Sequence, residues 1–157
     1  MNKHLVTAAI GGGIGGLLDI TYAIVLWGYI LGSNPIAIPQ SVASGLLGKA
    51  AFDGGMGTFF LGLALHFFIA FVMALVYALA SRRLPVLTAR PVLMGILYGL
   101  VLFAVMNYVV VPLSAIGWRS PTFWGSVRAL FPHVAFVGPA IALTAARRSR
   151  RDLPPSA

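Results

Sequence analysis

Four apolar blocks, residues 5–31, 57–80, 91–111 and 124–146, dictate what this chain can become. Each is long enough to cross the hydrocarbon core of a bilayer, which takes about 20 helical residues. None alternates apolar and polar residues in the manner of a strand. In lipid, a lone segment satisfies its backbone only as a helix. A soluble alternative is excluded by the shortage of charge: 9% of the residues are charged, against about 25% in a soluble domain. The expected fold class is all-α, a four-transmembrane-helix bundle. It forms a single integral membrane domain over residues 1–157, with the lipid bilayer as its first partner.

The chain has no cysteine, which excludes disulfides, thiolate catalysis and zinc–thiolate sites. The first block follows Lys3 as a signal peptide would. It is too long for one, contains Asp19, and shows no clear cleavage site before Asn34, so it is expected to be a retained span. Orientation follows from the basic residues. Lys3, Arg82, Arg83, Arg90, Arg147, Arg148, Arg150 and Arg151 fall on one side of the spans, and Lys49, Arg119 and Arg128 on the other. That asymmetry predicts both termini in the cytoplasm. The net charge of +8 is then mostly a topology signal. The basic tail over 147–157 can touch anionic headgroups. It is a poor nucleic-acid ligand, being short and without stacking aromatics.

The loops differ in kind. "SRRLPVLTAR" is a short turn in which Pro85 blocks helix continuation. The first external loop, 32–56, is longer. Within it Val42, Leu46 and Ala50 recur every four residues beside Ala43, Leu47 and Ala51, with Ser41, Ser44, Gly48 and Lys49 on the other side. This spacing predicts a short amphipathic helix on or in the outer interface. Trp118 and Trp124 in the second external loop, with Trp27 and Tyr29, read as an outer aromatic belt. No internal repeat supports an inverted-repeat transporter.

Asp19 stands alone as an acid inside the first span. Its helical neighbours are Gly15, Gly16, Tyr22 and Ala23, with Gly12 a turn further back. Glycines at four-residue spacing admit a second helix, so Asp19 is expected on a packing face. Gly62, Gly95 and Gly99 are further helix-packing candidates. The other intramembrane polar residues are His66, Asn107 and His133, with Arg128 about one turn outside His133. Pro132 and Pro139 each free a carbonyl one turn back. At about 1.5 Å per residue, His66 and His133 lie roughly 14 Å from the outer ends, Asp19 roughly 18 Å and Asn107 roughly 8 Å. Unpaired, each is expensive in lipid. A shared cluster of Asp19, Tyr22, His66, Asn107, Arg128 and His133 is the economical arrangement.

Three readings of that cluster stay open. It is interhelical glue in a non-catalytic accessory or scaffold subunit, a site handling a small solute or protons, or a haem b site with His66 and His133 as axial ligands. The chain carries no H-E-x-x-H, G-x-S-x-G or P-loop motif, and Ser114, Ser120 and Ser126 have no His–Asp partners in local spacing. No catalytic residue and no other cofactor or metal is expected. Four spans make a narrow bundle, so a pore would need a homo-oligomer or a larger membrane complex.

The segments "LALHFFIAFVMALVYALASRRLP", "GILYGLVLFAVMNYVVVPLSAIG" and "LFPHVAFVGPAIALTAARR" follow one another over residues 58–148. Their order, a histidine followed by two phenylalanines, a basic Pro-containing loop, Pro112 at an outer end and a histidine in the last span, resembles the YagU-like bacterial inner-membrane proteins. The resemblance implies a bacterial inner-membrane location and His66 and His133 as recurring positions. It brings no established substrate or catalytic residue.

Overall fold

The computed structural model describes residues 3–118, 120 and 122–151, Arg151 by its backbone alone. Arg119 and residues 152–157 of the basic tail, used above for orientation and headgroup contact, lie outside the described residues. Among the described residues all regular structure is helical. The chain runs through α1 (Lys3–Ile30), α2 (Ala37–Leu47), α3 (Gly55–Ala80), α4 (Val86–Ala89), α5 (Pro91–Leu113) and α6 (Phe123–Arg150). Helices α1, α3, α5 and α6 are long and apolar enough to cross a membrane, which makes this a multi-pass membrane protein. Leu17, Phe60 and Val92 on their outward faces are each more than half exposed. Apolar stripes of that extent belong against lipid.

Helix α1 holds two neighbours through two interleaved glycine pairs. Gly11 and Gly15 face α6: a methyl on either would sit 3.3 Å from the backbone of Ile141 or Val137. Gly12 and Gly16 face α3: a Gly12 methyl would lie 2.7 Å from the Ala70 carbonyl oxygen, and a Gly16 methyl 3.1 Å from the Ala70 Cβ. Without side chains at these four positions the backbones approach closely enough for extensive dispersion contact. Gly95 and Gly99 serve α5 in the same way, against Pro139 and the His133 carbonyl of α6. Gly138 of α6 faces back onto Gly95. Gly62 receives Pro39 of α2 instead of a spanning helix.

The spanning helices therefore pack in the order α3, α1, α6, α5. The remaining side, between α3 and α5, is joined at Tyr98. Its hydroxyl donates to the Met73 carbonyl at 2.7 Å, and its ring lies 4.8 Å from that of Tyr77. Beyond Tyr98 the two helices are parted by an apolar cleft of about 350 Å³ lined by Phe68, Val72, Val101 and Val105. Ala8, Ala74, Tyr77, Val137, Ile141 and Ala142 form the buried centre. Lys3, Ser81 and Arg148 line one cleft, so the start of α1 and the ends of α3 and α6 gather at a common, basic end.

At the opposite end α2 lies against α3. The Gln40 side-chain amide donates to the Gly55 carbonyl at 2.9 Å and to the Thr58 hydroxyl at 3.1 Å. Ser44, expected on the polar side of this segment, is buried beside Pro39 and Ala43, while Leu46 and Leu47 face outward. Gly62 admits the Pro39 backbone, which brings this face of α2 onto α3, and the Ser44 hydroxyl is satisfied by donating to the Ser41 carbonyl at 2.6 Å. Gly48, at φ 58°, ends α2 in a conformation that favours glycine.

Three stretches of the spanning helices open into wide π turns: Ile24–Ile30, Met106–Val110 and His133–Val137. Two of them end two residues before a proline. The Val111 amide reaches back five residues to Met106 just before Pro112, and the Gly138 amide reaches back five to His133 just before Pro139. A proline ring excludes the ordinary four-residue bond, and the wider turn carries the helix past it.

Candidate functional site: a polar cluster at the junction of α1, α3 and α6

The bare faces of α1 are what bring polar groups from other helices to Asp19. Because Gly16 has no Cβ, Phe67 and Ala70 of α3 close onto α1, and His66 of α3 reaches the α1 backbone. Its Nε2–H donates to the Gly16 carbonyl at 2.8 Å. A carbonyl only accepts, so this nitrogen carries the proton. The same Nε2 lies 4.0 Å from Oδ2 of Asp19, with both side chains largely shielded. His133, at the start of a π turn in α6, lies one turn from Val137, whose backbone packs on Gly15, itself one turn from Asp19. Three titratable side chains from three helices thus share one region of the bundle.

His133 is oriented by its own helix. Its Nδ1–H donates to the Ala129 carbonyl at 2.8 Å, and its ring packs edge-on against Phe103 of α5 at 6.1 Å. The nitrogens left to gain or lose a proton are Nδ1 of His66 and Nε2 of His133. The Asp19 carboxylate accepts no hydrogen bond from the described residues; the His66 imidazole stands 4.0 Å from it.

Tyr22 and Arg128 stand one turn nearer the α2 end. Pro132 offers no amide to the Arg128 carbonyl, and the Tyr22 hydroxyl donates to that carbonyl at 3.3 Å. Tyr22 is held by the rings of Phe131 at 5.5 Å and Phe136 at 6.1 Å. The Arg128 guanidinium sits 5.6 Å from the centre of the Trp27 ring, a cation–π contact. Asn107 goes elsewhere. Its amide donates to the Phe103 carbonyl of its own helix at 2.9 Å. It lines a separate cleft of about 170 Å³ with Tyr108, Trp118, Thr122 and Ser126.

Of five clefts with volumes between about 170 and 500 Å³, none is lined by Asp19, His66 or His133. A haem between the two histidines would need a shared space and would have to take His66 from the Gly16 carbonyl. Among the described residues no group of three or more metal-ligating side chains is placed to hold an ion. The packing glycines that sequence reasoning missed are Gly11 and Gly138. Gly11 was signalled by its four-residue spacing to Gly15, and Gly138 by its place before Pro139.

No family model, curated protein or solved structure matches this chain.

Proposed function

We propose that this multi-pass membrane protein handles protons, alone or coupled to a small solute, through Asp19, His66 and His133. The observation that carries the reading is the Asp19–His66 pair. A carboxylate inside a span lies 4.0 Å from an imidazole of another helix and accepts no hydrogen bond from the described residues. Intramembrane acids so placed are functional candidates. The chemistry is a relay: Nδ1 of His66 takes a proton, and Nε2 releases its own to Oδ2 of Asp19. The imidazole must tilt away from the Gly16 carbonyl to close the gap. His133 Nε2 supplies a second exchange position from α6.

The eight basic residues on one side of the spans, against three on the other, support cytoplasmic termini. With the resemblance to the YagU-like proteins they favour a bacterial inner membrane. The narrow bundle favours a homo-oligomer or a larger complex as the working unit.

The test is proton flux. Purified protein in liposomes with a trapped pH dye is driven by a potassium diffusion potential. The wild type should acidify or alkalinise the lumen faster than empty liposomes. Asp19→Asn, which keeps shape and most hydrogen bonding, should fall to the empty-liposome rate while eluting as folded protein. Equal rates for wild type and empty liposomes would sink the reading.

The His66–Gly16 and Tyr22–Arg128 bonds favour a second reading, an accessory or scaffold subunit tied together by polar contacts of about 0.6 kcal/mol each. Under it, wild-type protein gives no flux, Asp19→Asn is silent, and Asp19→Leu chiefly lowers thermal stability.

A further inference from the structure

The basic end of the bundle holds a cleft that the proton relay does not use. It has a volume of about 360 Å³ and lies between the first turns of α1, the end of α3 and the end of α6. Lys3 of α1, Arg82 of the turn after α3 and Arg148 of α6 line it, and no Asp or Glu among the described residues does. Two of the three hydroxyls in its wall donate within their own helices, Thr7 to the Lys3 carbonyl at 2.8 Å and Ser81 to the Ala78 carbonyl at 2.9 Å; Ser149 is the third. Charge for an anion comes from the long cationic side chains. The arginines carry it most specifically, because a guanidinium matches a phosphate with two parallel hydrogen bonds. The start of α1 adds the positive end of its backbone dipole.

We propose that this cleft binds a phosphate group. Its position supports the class of ligand. It sits where three apolar spans end, the level at which the phosphodiesters of a bilayer lie, and basic pockets between spans are known hosts for anionic headgroups. Its size falls within the range of small-molecule sites, about 300–1,000 Å³. A phosphate there would draw together three like charges, from α1, the turn after α3 and α6, and so tie the start of α1 to the ends of α3 and α6.

Two sources share this chemistry, an anionic phospholipid and a free phosphate, and the experiment separates them. The protein is placed in nanodiscs of phosphatidylcholine alone, of phosphatidylcholine with phosphatidylglycerol, or of phosphatidylcholine with inorganic phosphate in the buffer. Lipid retention is read by native mass spectrometry and stability by thermal melting. Arg82→Gln and Arg148→Gln should each weaken retention of phosphatidylglycerol by about fivefold, the ratio for one basic residue near an anionic surface. Arg83→Gln, in the same loop but outside the cleft, should leave it unchanged. Arg82→Lys should recover part of the loss. Stabilisation by inorganic phosphate, with no added effect of phosphatidylglycerol, supports the site and assigns it to a free ligand. Loss in Arg83→Gln equal to that in Arg82→Gln, or no response to either phosphate source, overturns the proposal.

Discussion

Gly12 and Gly13 are adjacent in sequence and opposite in environment, so they form a controlled pair. A methyl at Gly12 would lie 2.7 Å from the Ala70 carbonyl oxygen and 2.9 Å from the Phe71 Cα. Ordinary contact begins near 3.5 Å, so α1 and α3 must part by about 0.8 Å. The obstacle is backbone, which cannot swing aside. A gap of that size forfeits a quarter to a half of the dispersion energy along the seam, and overpacking of this kind costs about 1–3 kcal/mol. The gain in helix propensity from alanine returns about 1 kcal/mol. The net expectation for Gly12→Ala is a loss of about 1 kcal/mol, the middle of a range of about 0–2, or about 3 °C in melting midpoint for a chain of this size. At Gly13 nothing lies within 4 Å, so Gly13→Ala keeps only the propensity gain and should melt about 2 °C higher. The assay is thermal unfolding in detergent by circular dichroism, both variants beside the parent. Parting the helices also stretches the 2.8 Å His66–Gly16 bond, which histidine nitrogen chemical shifts would report. Equal melting of the two variants would refute the account of α1 as a glycine-seamed helix.

Tyr22→Phe leaves the Arg128 carbonyl, already deprived of an amide by Pro132, without its donor. It should cost about 1 kcal/mol in detergent melts, and a variant as stable as the parent would remove Tyr22 from the cluster. Because the chain has no cysteine, single introduced thiols report topology cleanly. Ser33→Cys should react with an impermeant maleimide in intact cells and Ser81→Cys only after permeabilisation; the reverse pattern would invert the orientation. Protein from a haem-replete host should show no Soret band, given the hold of Gly16 on His66. A band lost in both His66→Ala and His133→Ala would restore the haem reading.

The four spans were legible because lipid imposes one rule on every segment, enough apolar length and an internally bonded backbone. Their neighbours were less legible. Setting the packing face of α1 around Asp19 selected Gly12, Gly15 and Gly16 and passed over Gly11. Yet Gly11 and Gly15 face α6 while Gly12 and Gly16 face α3. A single face was assumed where the helix has two. Asn107 was grouped with Asp19 by depth, and depth along a helix says nothing of direction around it. Its amide turns to the Phe103 carbonyl instead. In α2, apolar residues were assigned to one side and Ser44 to the other. Next to a lipid-facing surface the usual sense reverses, and leucines point out while a satisfied serine packs in.

The central place of α1 has a consequence for biogenesis. Of the four spans, the one made first is the one on which two others are built, and the one made fourth, α6, is one of those two. Asp19 enters the bilayer ahead of both histidines, at an insertion cost of about 2.5–3.5 kcal/mol for an acid at mid-depth. The α1–α3 hairpin is the earliest unit that can shelter it. The Gly11 and Gly15 face stays open to lipid until α6 has been made. Closure of the bundle therefore waits on α6, which must find a groove prepared by α1.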